Sequence, residues 1–441
     1  MRSTLLFAAL ALALGTAEAA ETQRYVVLTP EATIGHLHAT VDGDTVSVDY
    51  DVKDNGRGPT MKETLRLSEA GLPVEWSISG ATTFGSKVDE RFAVADGKAT
   101  WKDAVGTGEA ANATGALYIG QSGTPWALGV YARALMADVD GRIATLPGGE
   151  LRLEKGDMLE VGTGPAKQTV QRVTLSGLDL DPTHLLVEAD GDLFAVLATR
   201  GLLIREGYEA DAERLRQLTV ELGEQRFIAM QAEVAHRYEH PVRIRNVRVF
   251  DPKTGTRSAP VSVVVYRDRI SGIQPLDATG TGPEVIVEGE GGTLVPGLYE
   301  MHGHIGQNRT VLNLAAGITS VRDMGNDNDV LDRLIESIES GKLAGPRITR
   351  AGFIEGRSPF NSNNGYLVSS QAQALEAVRW YAARGFPQIK LYNSMNPAWS
   401  AAAAAEAHRL SLRVSGHIPA FTNADAMIEA GYDELTHINQ V

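Results

Sequence analysis

The sequence of 441 residues contains no cysteine, which excludes disulfide bonds and thiol chemistry. It also lacks any basic block with interleaved aromatic residues, and its formal net charge is -14. An acidic chain repels polyphosphate, so nucleic acid is not an expected partner. Hydrophobic residues make up 43% of the chain, which is enough to fill the cores of two or three domains.

An apolar run stands at the N-terminus, in "MRSTLLFAALALALGTAEAAETQ". Arg2 precedes this run, and small residues follow it at Ala17 and Ala19. The pattern predicts a secretory signal peptide over residues 1–19, cleaved after Ala19, since the run is too short to span a bilayer. We therefore expect a periplasmic or secreted protein whose mature chain has no transmembrane segment.

Residues 20–204 alternate between polar and apolar with a period of two, as in "TVSVDYDV", between turns such as "DGDT" and "ADGK". This predicts a β-rich, antiparallel N-terminal domain, in which no residue suggests catalysis. His36 and His38 share one face of a predicted strand, without a third ligand nearby. We interpret them as residues of the solvated face.

Residues 205–240 have a helical period and predict a connecting helix packed on a neighbouring domain. Its apolar stripe consists of Leu215, Leu218, Leu222, Phe227, Met230 and Val234. The opposite face carries many glutamates, which does not favour a membrane-surface role. Short strands in residues 241–293 predict a small β unit. Residues 294–441 then alternate strand-like and helical runs through six strands, which predicts an α/β region with a parallel sheet covered by helices.

Five side chains that could bind metal ions lie at or near the carboxyl ends of these six strands, where barrels of repeated βα units assemble their sites. They are His302, His304, Lys390, His417 and His437. The spacing of two puts His302 and His304 on one strand face, as joint binding of one ion requires. Each histidine alone is weak evidence. Together, at equivalent strand ends, the five predict a metal site, and imidazole suits zinc.

Lys390 lies in "QIKLY", where Ile389 and Leu391 should point toward covering helices and Lys390 into the barrel. An unpaired buried ammonium is costly, so burial lowers the lysine pKa. A neutral amine can react with carbon dioxide to give a carbamate, which can bridge two cations. The alternative is a lysine that reaches the barrel mouth or pairs with an acid.

At these residues the chain resembles the amidohydrolase superfamily, and in particular its imidazolonepropionase and Xaa-Pro dipeptidase-like branch. The similar stretches, within residues 242–441, are "LVPGLYEMHGH", "TSVRDMG", "IKLYNSMNP", "VSGHIPAF" and "DELTHI". The resemblance implies a (β/α)8 TIM-like barrel, incomplete over residues 294–441, with a partial β-sandwich whose first half is residues 241–293.

The resemblance also implies a ligand set. His302 and His304 would bind the more buried metal, and His417 and His437 the second. Carbamylated Lys390 would bridge them, so the implied cofactors are two divalent ions, with zinc expected, and carbon dioxide. The implied reaction is hydrolysis of an amide or peptide bond, in which the ions acidify a bridging water and polarise the carbonyl.

One feature of that family is missing, namely a catalytic aspartate at the end of the eighth strand. Only six strands precede Val441, and a barrel of this type needs eight. Asp323, in the second strand, is interpreted as a partner of Arg322 or as a capping residue. We therefore expect the chain to be a fragment of a longer protein, and the chain as given to be inactive.

The loop "IEGRSPFNSNNGYLVSS" and the segment "YNSMNP" are placed to line a pocket. Arg357 would then pair with a substrate carboxylate, and Tyr392 or Asn393 would donate to a carbonyl, although each also fits a loop-structuring role. Dipeptides or N-acyl amino acids are the expected substrates. The alternatives are a hydrolase of lactones or cyclic amides, and a non-catalytic envelope binding or scaffold protein with a degenerate barrel. The sequence leaves oligomeric state open, a homo-oligomer included.

Overall fold

A computed structural model describes residues 20–440 except 112 and 114. The signal peptide predicted for residues 1–19 lies outside the described residues. The chain divides after Glu221 into two compact units. Over the described ranges, no helix is both long enough and apolar enough to cross a membrane.

The first unit consists of strands, one central helix and the start of a second helix. Its strands are β1 (Glu21–Leu28), β2 (Thr33–Asp42), β3 (Thr45–Val52), β4 (Thr60–Leu67), β5 (Pro73–Ala81), β6 (Lys87–Ala95), β7 (Lys98–Lys102), β8 (Thr107–Ala110), β9 (Leu117–Tyr118), β10 (Arg142–Leu146), β11 (Glu150–Val161), β12 (Gln168–Ser176), β13 (Thr183–Val187), β14 (Leu193–Val196) and β15 (Leu202–Arg205). Helix α1 is Trp126–Ala137, and helix α2, Ala212–Val234, contains the division between the units.

These strands form one sheet in the order β8 to β1 and then β15 to β9. Neighbouring strands are antiparallel except β9 and β10. Strand β1 joins the two arms, because Tyr25 pairs with Leu37 on one side and with Arg205 on the other. One buried apolar cluster contains side chains of both arms and of α1, for example Trp76 and Val130. The sheet therefore wraps around α1, and the core of the unit lies there.

The β-rich, antiparallel character predicted for this region is confirmed, but α1 was not predicted. Eight of its 12 residues are buried, so the helix lacks the polar face that marks an amphipathic helix in a sequence. His36 and His38 are partly exposed on β2. The Nε2 atom of His36 lies 3.2 Å from an oxygen of Asp49.

The second unit contains two sheets and five further helices. Its strands are β16 (Val242–Asp251), β17 (Thr256–Arg257), β18 (Val261–Tyr266), β19 (Arg269–Pro275), β20 (Val285–Glu288), β21 (Thr293–Leu294), β22 (Leu298–Gly303), β23 (Ile318–Asp323), β24 (Arg347–Gly356), β25 (Tyr366–Val368), β26 (Gln388–Leu391), β27 (Arg413–Gly416) and β28 (Glu434–Leu435). Its helices are α3 (Thr310–Ala315), α4 (Asn328–Glu339), α5 (Gln371–Ala383), α6 (Pro397–Arg409) and α7 (Ala424–Glu429).

The small sheet is built on β16, which pairs antiparallel with β17 and β18 and parallel with β20 and β21. The larger sheet has the order β22-β23-β24-β26-β27-β28, with every pair parallel and β25 paired to β24. Its six main strands are those that the sequence predicted. Parallel strands need a crossover connection, which is usually a helix, and this explains why strand and helix alternate.

The larger sheet curls, as is shown by a contact between side chains at its two outer strands. The ring centroids of His302 on β22 and His437 after β28 are 4.6 Å apart. Helices α5 and α6 cover the outer face, where Ile389 and Leu391 belong to one apolar cluster with Ala403. The unit is thus a curled parallel sheet, consistent with part of a barrel.

Candidate metal centre

The five predicted ligand residues come together on the inner face of the curled sheet. His302 is on β22 and His304 directly after it, while Lys390 is on β26. His417 follows β27 at once, and His437 lies two residues beyond β28. Parallel strands end at the same edge of a sheet, which is why residues so far apart in sequence are neighbours here.

The four histidine rings form a continuous row. Ring centroids are 5.4 Å apart for His304 and His302, 4.6 Å for His302 and His437, and 4.6 Å for His437 and His417. Lys390 lies beside this row, with its Nζ atom 3.2 Å from Nε2 of His302. The arrangement brings all four imidazoles and one amine into a single site.

Lys390 is completely buried, as the alternation in "QIKLY" predicted. Burial lowers its pKa from the usual 10.5 to about 8, against the opposing field of Asp323. At neutral pH this raises the neutral fraction of the amine from about 0.03% to about 10%. The amine is therefore far more nucleophilic than that of a surface lysine.

Three of the four histidines, His302, His417 and His437, are held neutral. Burial, followed by the positive charge of Lys390, lowers the pKa of His302 to about 4 and that of His417 to about 3. The pKa of His437 is lowered from the same first cause. A neutral imidazole has a free lone pair, so these rings are in the state that binds metal ions.

Two of the rings are fixed by hydrogen bonds through Nδ1. His304 Nδ1 donates to the carbonyl oxygen of Gly325 at 2.6 Å. Gly325 has φ +143°, and a Cβ atom there would lie 2.5 Å from Phe353, so only glycine fits and presents this carbonyl. The bond leaves the lone pair of His304 on Nε2. Such outer contacts orient histidine ligands in metal sites.

His417 Nδ1 lies 2.7 Å from Oδ1 of Asn393, to which it donates. The amide nitrogen of Gln440 is 3.0 Å from the same Nδ1, and one ring atom cannot donate to one group while accepting from the other. The shorter contact fixes the tautomer. Nε2 of His417 then carries the lone pair, and it is buried without any hydrogen-bond partner in the described part of the chain. A buried polar atom without a protein partner is open to a ligand or a water molecule.

Asp323 binds the backbone of two loops and neither caps a neighbouring helix nor pairs with Arg322, the two interpretations that the sequence allowed, since Gly306 and Asp327 occupy the N-cap positions nearby. It is fully buried and accepts from the backbone N–H groups of Ile305 and Gly325, at 2.8 and 3.0 Å. Arg322 pairs instead with Glu434, through two hydrogen bonds of 2.6 and 2.7 Å. Asp323 therefore shapes the loops that carry His304 and Gly325.

These residues fit a pair of metal ions by their donor chemistry. Among the described residues, only Glu188, Asp190 and Asp192 place three carboxylate or imidazole ligand atoms within 4.8 Å of one another. That acidic group is exposed in part and paired with Arg133 and Arg205. The histidine row does not need such a triple, because each ion of the implied pair would take two histidines and Lys390. The uncommitted Nε2 of His417 is the observation that favours a ligand here.

The three predicted substrate residues take different positions. Arg357 is exposed. The ring of Tyr392 lies 4.0 Å from that of His417 and 5.5 Å from Nζ of Lys390. Asn393 is turned toward His417 and bonds it. Their roles toward a substrate stay predictions.

The sequence analysis did not single out Glu355, a buried carboxylate at the end of β24 that binds two loops of the site. A signal was present, because Glu355 is an acid in the apolar run "AGFIEG" at a strand end. Gly325 was also missed, because its role depends on a backbone carbonyl and no sequence motif marks such a group.

No family model and no curated protein matches the chain. Solved structures of amidohydrolase superfamily members, including prolidases and Xaa-Pro dipeptidases, are similar over about 45% of it. A prolidase-like protein from Bifidobacterium longum is 22% identical, with a TM-score of 0.39 over 44% of this chain and 54% of its own. A Xaa-Pro dipeptidase with bound methionine is 23% identical, with a TM-score of 0.38 over 44% and 61%. Molinate hydrolase is 16% identical, with a TM-score of 0.37 over 45% and 58%.

The chain thus spans 54 to 61% of the length of these three proteins. TM-scores of this size mark a distant likeness. The chemistry proposed below therefore depends on the side chains themselves.

Proposed function

We propose that the second unit belongs to a two-metal hydrolase of amide or peptide bonds. The observation that supports this most is the row of four histidine rings beside the buried Lys390, in which Nε2 of His417 has no hydrogen-bond partner among the described residues. Neutral imidazoles with lone pairs turned into one site bind zinc-like cations well.

The residues have separate roles in this proposal. His302 and His304 would hold one ion, and His417 and His437 would hold the other. The neutral amine of Lys390 would add to the carbon of carbon dioxide, forming an N–C bond and releasing a proton, and the carbamate oxygens would serve as further ligands. Two bound divalent ions would supply an acidified water and a polarised substrate carbonyl.

The remaining residues would bind and orient the substrate. The ring of Tyr392 lies 4.0 Å from that of His417, and its hydroxyl would donate to a substrate carbonyl, while Arg357 would pair with a substrate carboxylate. This favours dipeptides or N-acyl amino acids over lactones, since only the former two carry a free carboxylate beside the scissile bond. Asp323 cannot act as the proton carrier, because backbone N–H groups already engage both its oxygens. A periplasmic or secreted location fits such a substrate.

Metal content tests the proposal directly. Protein purified from zinc-supplemented cells should hold about two equivalents of zinc by mass spectrometry of the metal. Lys390→Met should lose both ions, and His417→Ala about one. The matched control is a double variant, His36→Ala with His38→Ala, which removes the same His-x-His spacing from β2 and should change nothing.

Wild-type protein with near-zero zinc would overturn the proposal and favour the non-catalytic binding or scaffold alternative.

A second experiment measures hydrolysis, by release of free amine from dipeptides and N-acyl amino acids and by release of acid from lactones. Cleavage of lactones alone would contradict the proposed substrate class while leaving the metal site intact.

A further inference from the structure

Glu355 is a buried carboxylate that the proposed ligand set does not include. It lies at the end of β24 and is completely buried. Oε1 accepts from the backbone N–H of Ser394 at 2.5 Å, and Oε2 accepts from the backbone N–H of Ser362 at 3.0 Å. One side chain therefore ties together the loops that follow β24 and β26.

The loop after β26 is held closely at each of its residues. The N–H of Tyr392 donates to the carbonyl of Ile354, and the carbonyl of Asn393 accepts from Ala420. Gly356 lies directly beneath the loop, since a Cβ atom there would stand 1.9 Å from the carbonyl oxygen of Ser394. Between these backbone contacts, two side chains hold Ser394: Glu355 accepts from its backbone N–H, and the hydroxyl of Ser358 donates to its Oγ at 2.8 Å.

Ser394 is next in sequence to Asn393, whose Oδ1 accepts from Nδ1 of His417 at 2.7 Å. A shift of Ser394 would move Asn393 with it, because consecutive Cα atoms have a fixed separation. Without an acceptor at Nδ1, the proton of a neutral imidazole is free to move to Nε2, and a protonated Nε2 cannot bind a metal ion.

We propose that Glu355 is a positioning residue for His417: it holds the Asn393–Ser394 segment so that Asn393 keeps the proton of His417 on Nδ1 and the lone pair on Nε2. The inference rests on the proposed function only in taking His417 as a metal ligand. The positioning itself is a property of the metal-free protein and is measured there.

The test uses long-range proton–nitrogen correlation spectra of the metal-free, chelator-treated full chain labelled with 15N-histidine. His417→Gln assigns the signal by its loss. In the wild type, Nε2 of His417 should have the chemical shift of an unprotonated ring nitrogen. Glu355→Gln, which replaces one acceptor oxygen by an amide donor, should mix the two tautomers. Asn393→Ala should do the same, while Asn393→Asp, which keeps the acceptor, should restore the wild-type spectrum.

The control is Glu376→Gln, the same change at an exposed glutamate of α5 outside the site. It should leave the spectrum of His417 unchanged. Zinc affinity, measured by competition with a chelating dye, should fall about 10- to 100-fold in Glu355→Gln and not in the control. If Glu355→Gln does not fold, Glu355→Asp is measured in its place. Aspartate keeps the carboxyl group, but its shorter side chain withdraws both oxygens from the loops.

An unchanged tautomer in the Glu355 variant would overturn the inference, even if its melting temperature falls, and would leave Glu355 a structural residue of the loops. A changed tautomer in a protein that binds no zinc would support the positioning and contradict the proposed function. If the wild type binds two equivalents of zinc and the tautomer of His417 is unchanged in the Glu355 variant, the proposed function is supported and the positioning role of Glu355 is contradicted.

Discussion

The first unit buries two carboxylates, Glu63 and Glu90, whereas the second buries an amine, Lys390, among histidines. In the first unit the charges are taken up by hydrogen bonds. Glu90 accepts from the hydroxyl of Tyr118 at 2.7 Å and from the N–H groups of Gln121 and Ser122, both at 2.9 Å. Each partner is part of the fold, so the buried charge has a structural purpose.

Both carboxylates lie next to the segment that precedes α1. Glu63 and Glu90 flank Ile78 in one row across β4, β5 and β6, and both face the segment before α1. Helix α1 begins after Pro125, whose side chain offers no cap. The backbone N–H groups that donate to Glu63 and Glu90 belong to Gln121, Ser122 and Thr124, which precede the helix. The two strands therefore fix the segment that leads into α1.

In the candidate metal centre of the second unit, Lys390 and the histidines face one another instead. Nζ of Lys390 meets the lone pair of His302, and Nε2 of His417 meets nothing in the described structure. The oxygens of Asp323, the nearest acid in the field of Lys390, are already engaged by backbone N–H groups. The comparison sets Glu90, whose partners all belong to the fold, against the site of Lys390 and His417, where a buried ring nitrogen has no partner in the described structure.

The largest effect is expected from removing the structural charge. Glu90→Ala leaves the hydroxyl of Tyr118 and two backbone N–H groups buried without an acceptor. The free energy of unfolding of the first unit should fall by about 3–5 kcal/mol. Urea denaturation measures the loss, and hydrogen exchange of the amides before α1 should accelerate with it. Glu75→Ala, an exposed glutamate paired with Arg66 on the outer face, is the control and should show no resolvable change. Equal effects of the two changes would contradict the structural role of Glu90.

A smaller effect is expected from pH at Glu63. Burial raises its pKa from 4.5 to about 7, against the donors of Thr124 and Trp76. Glu63 Oε2 makes no hydrogen bond of normal geometry, so this carboxylate is less completely satisfied than Glu90. The folded state therefore holds its proton to higher pH than the unfolded chain does, and stability falls as pH rises from about 4.5 to 7. The contribution is about 3 kcal/mol.

Glu63→Gln checks this because glutamine cannot ionise and keeps an oxygen for the N–H of Thr124. The difference in unfolding free energy between the variant and the wild type should grow between pH 5 and pH 7 in favour of the variant. The other titratable groups that face Glu63 are Glu90 and Tyr131, which both proteins retain. A difference that is constant across this range would show that Glu63 does not titrate there.

How far the sequence predicts this molecule depends on whether the information is local. The βα alternation and the inward direction of Lys390 follow from periodicity, and both are confirmed in the structure. Helix α1 was missed, because a helix buried on most sides has no polar face to reveal its period. Glu63 and Glu90 were missed since their partners are backbone N–H groups remote in sequence. For the same reason no motif marks Glu355 or the carbonyl of Gly325.

The smallest effect, and the one of opposite sign, is expected from Lys390→Met in the metal-free protein. Methionine fills a similar volume without an ammonium group, and replacing a buried charge by an apolar side chain is often stabilising. The free energy of unfolding of the second unit should rise by about 1–2 kcal/mol, while zinc binding is lost. Urea denaturation after chelator treatment measures the first, and metal analysis the second. A gain in stability coupled to loss of metal would show that the lysine is kept at a cost to the fold, as a functional group is. Destabilisation as large as that of Glu90→Ala would instead make Lys390 a structural charge, and the distinction between the two units would fail.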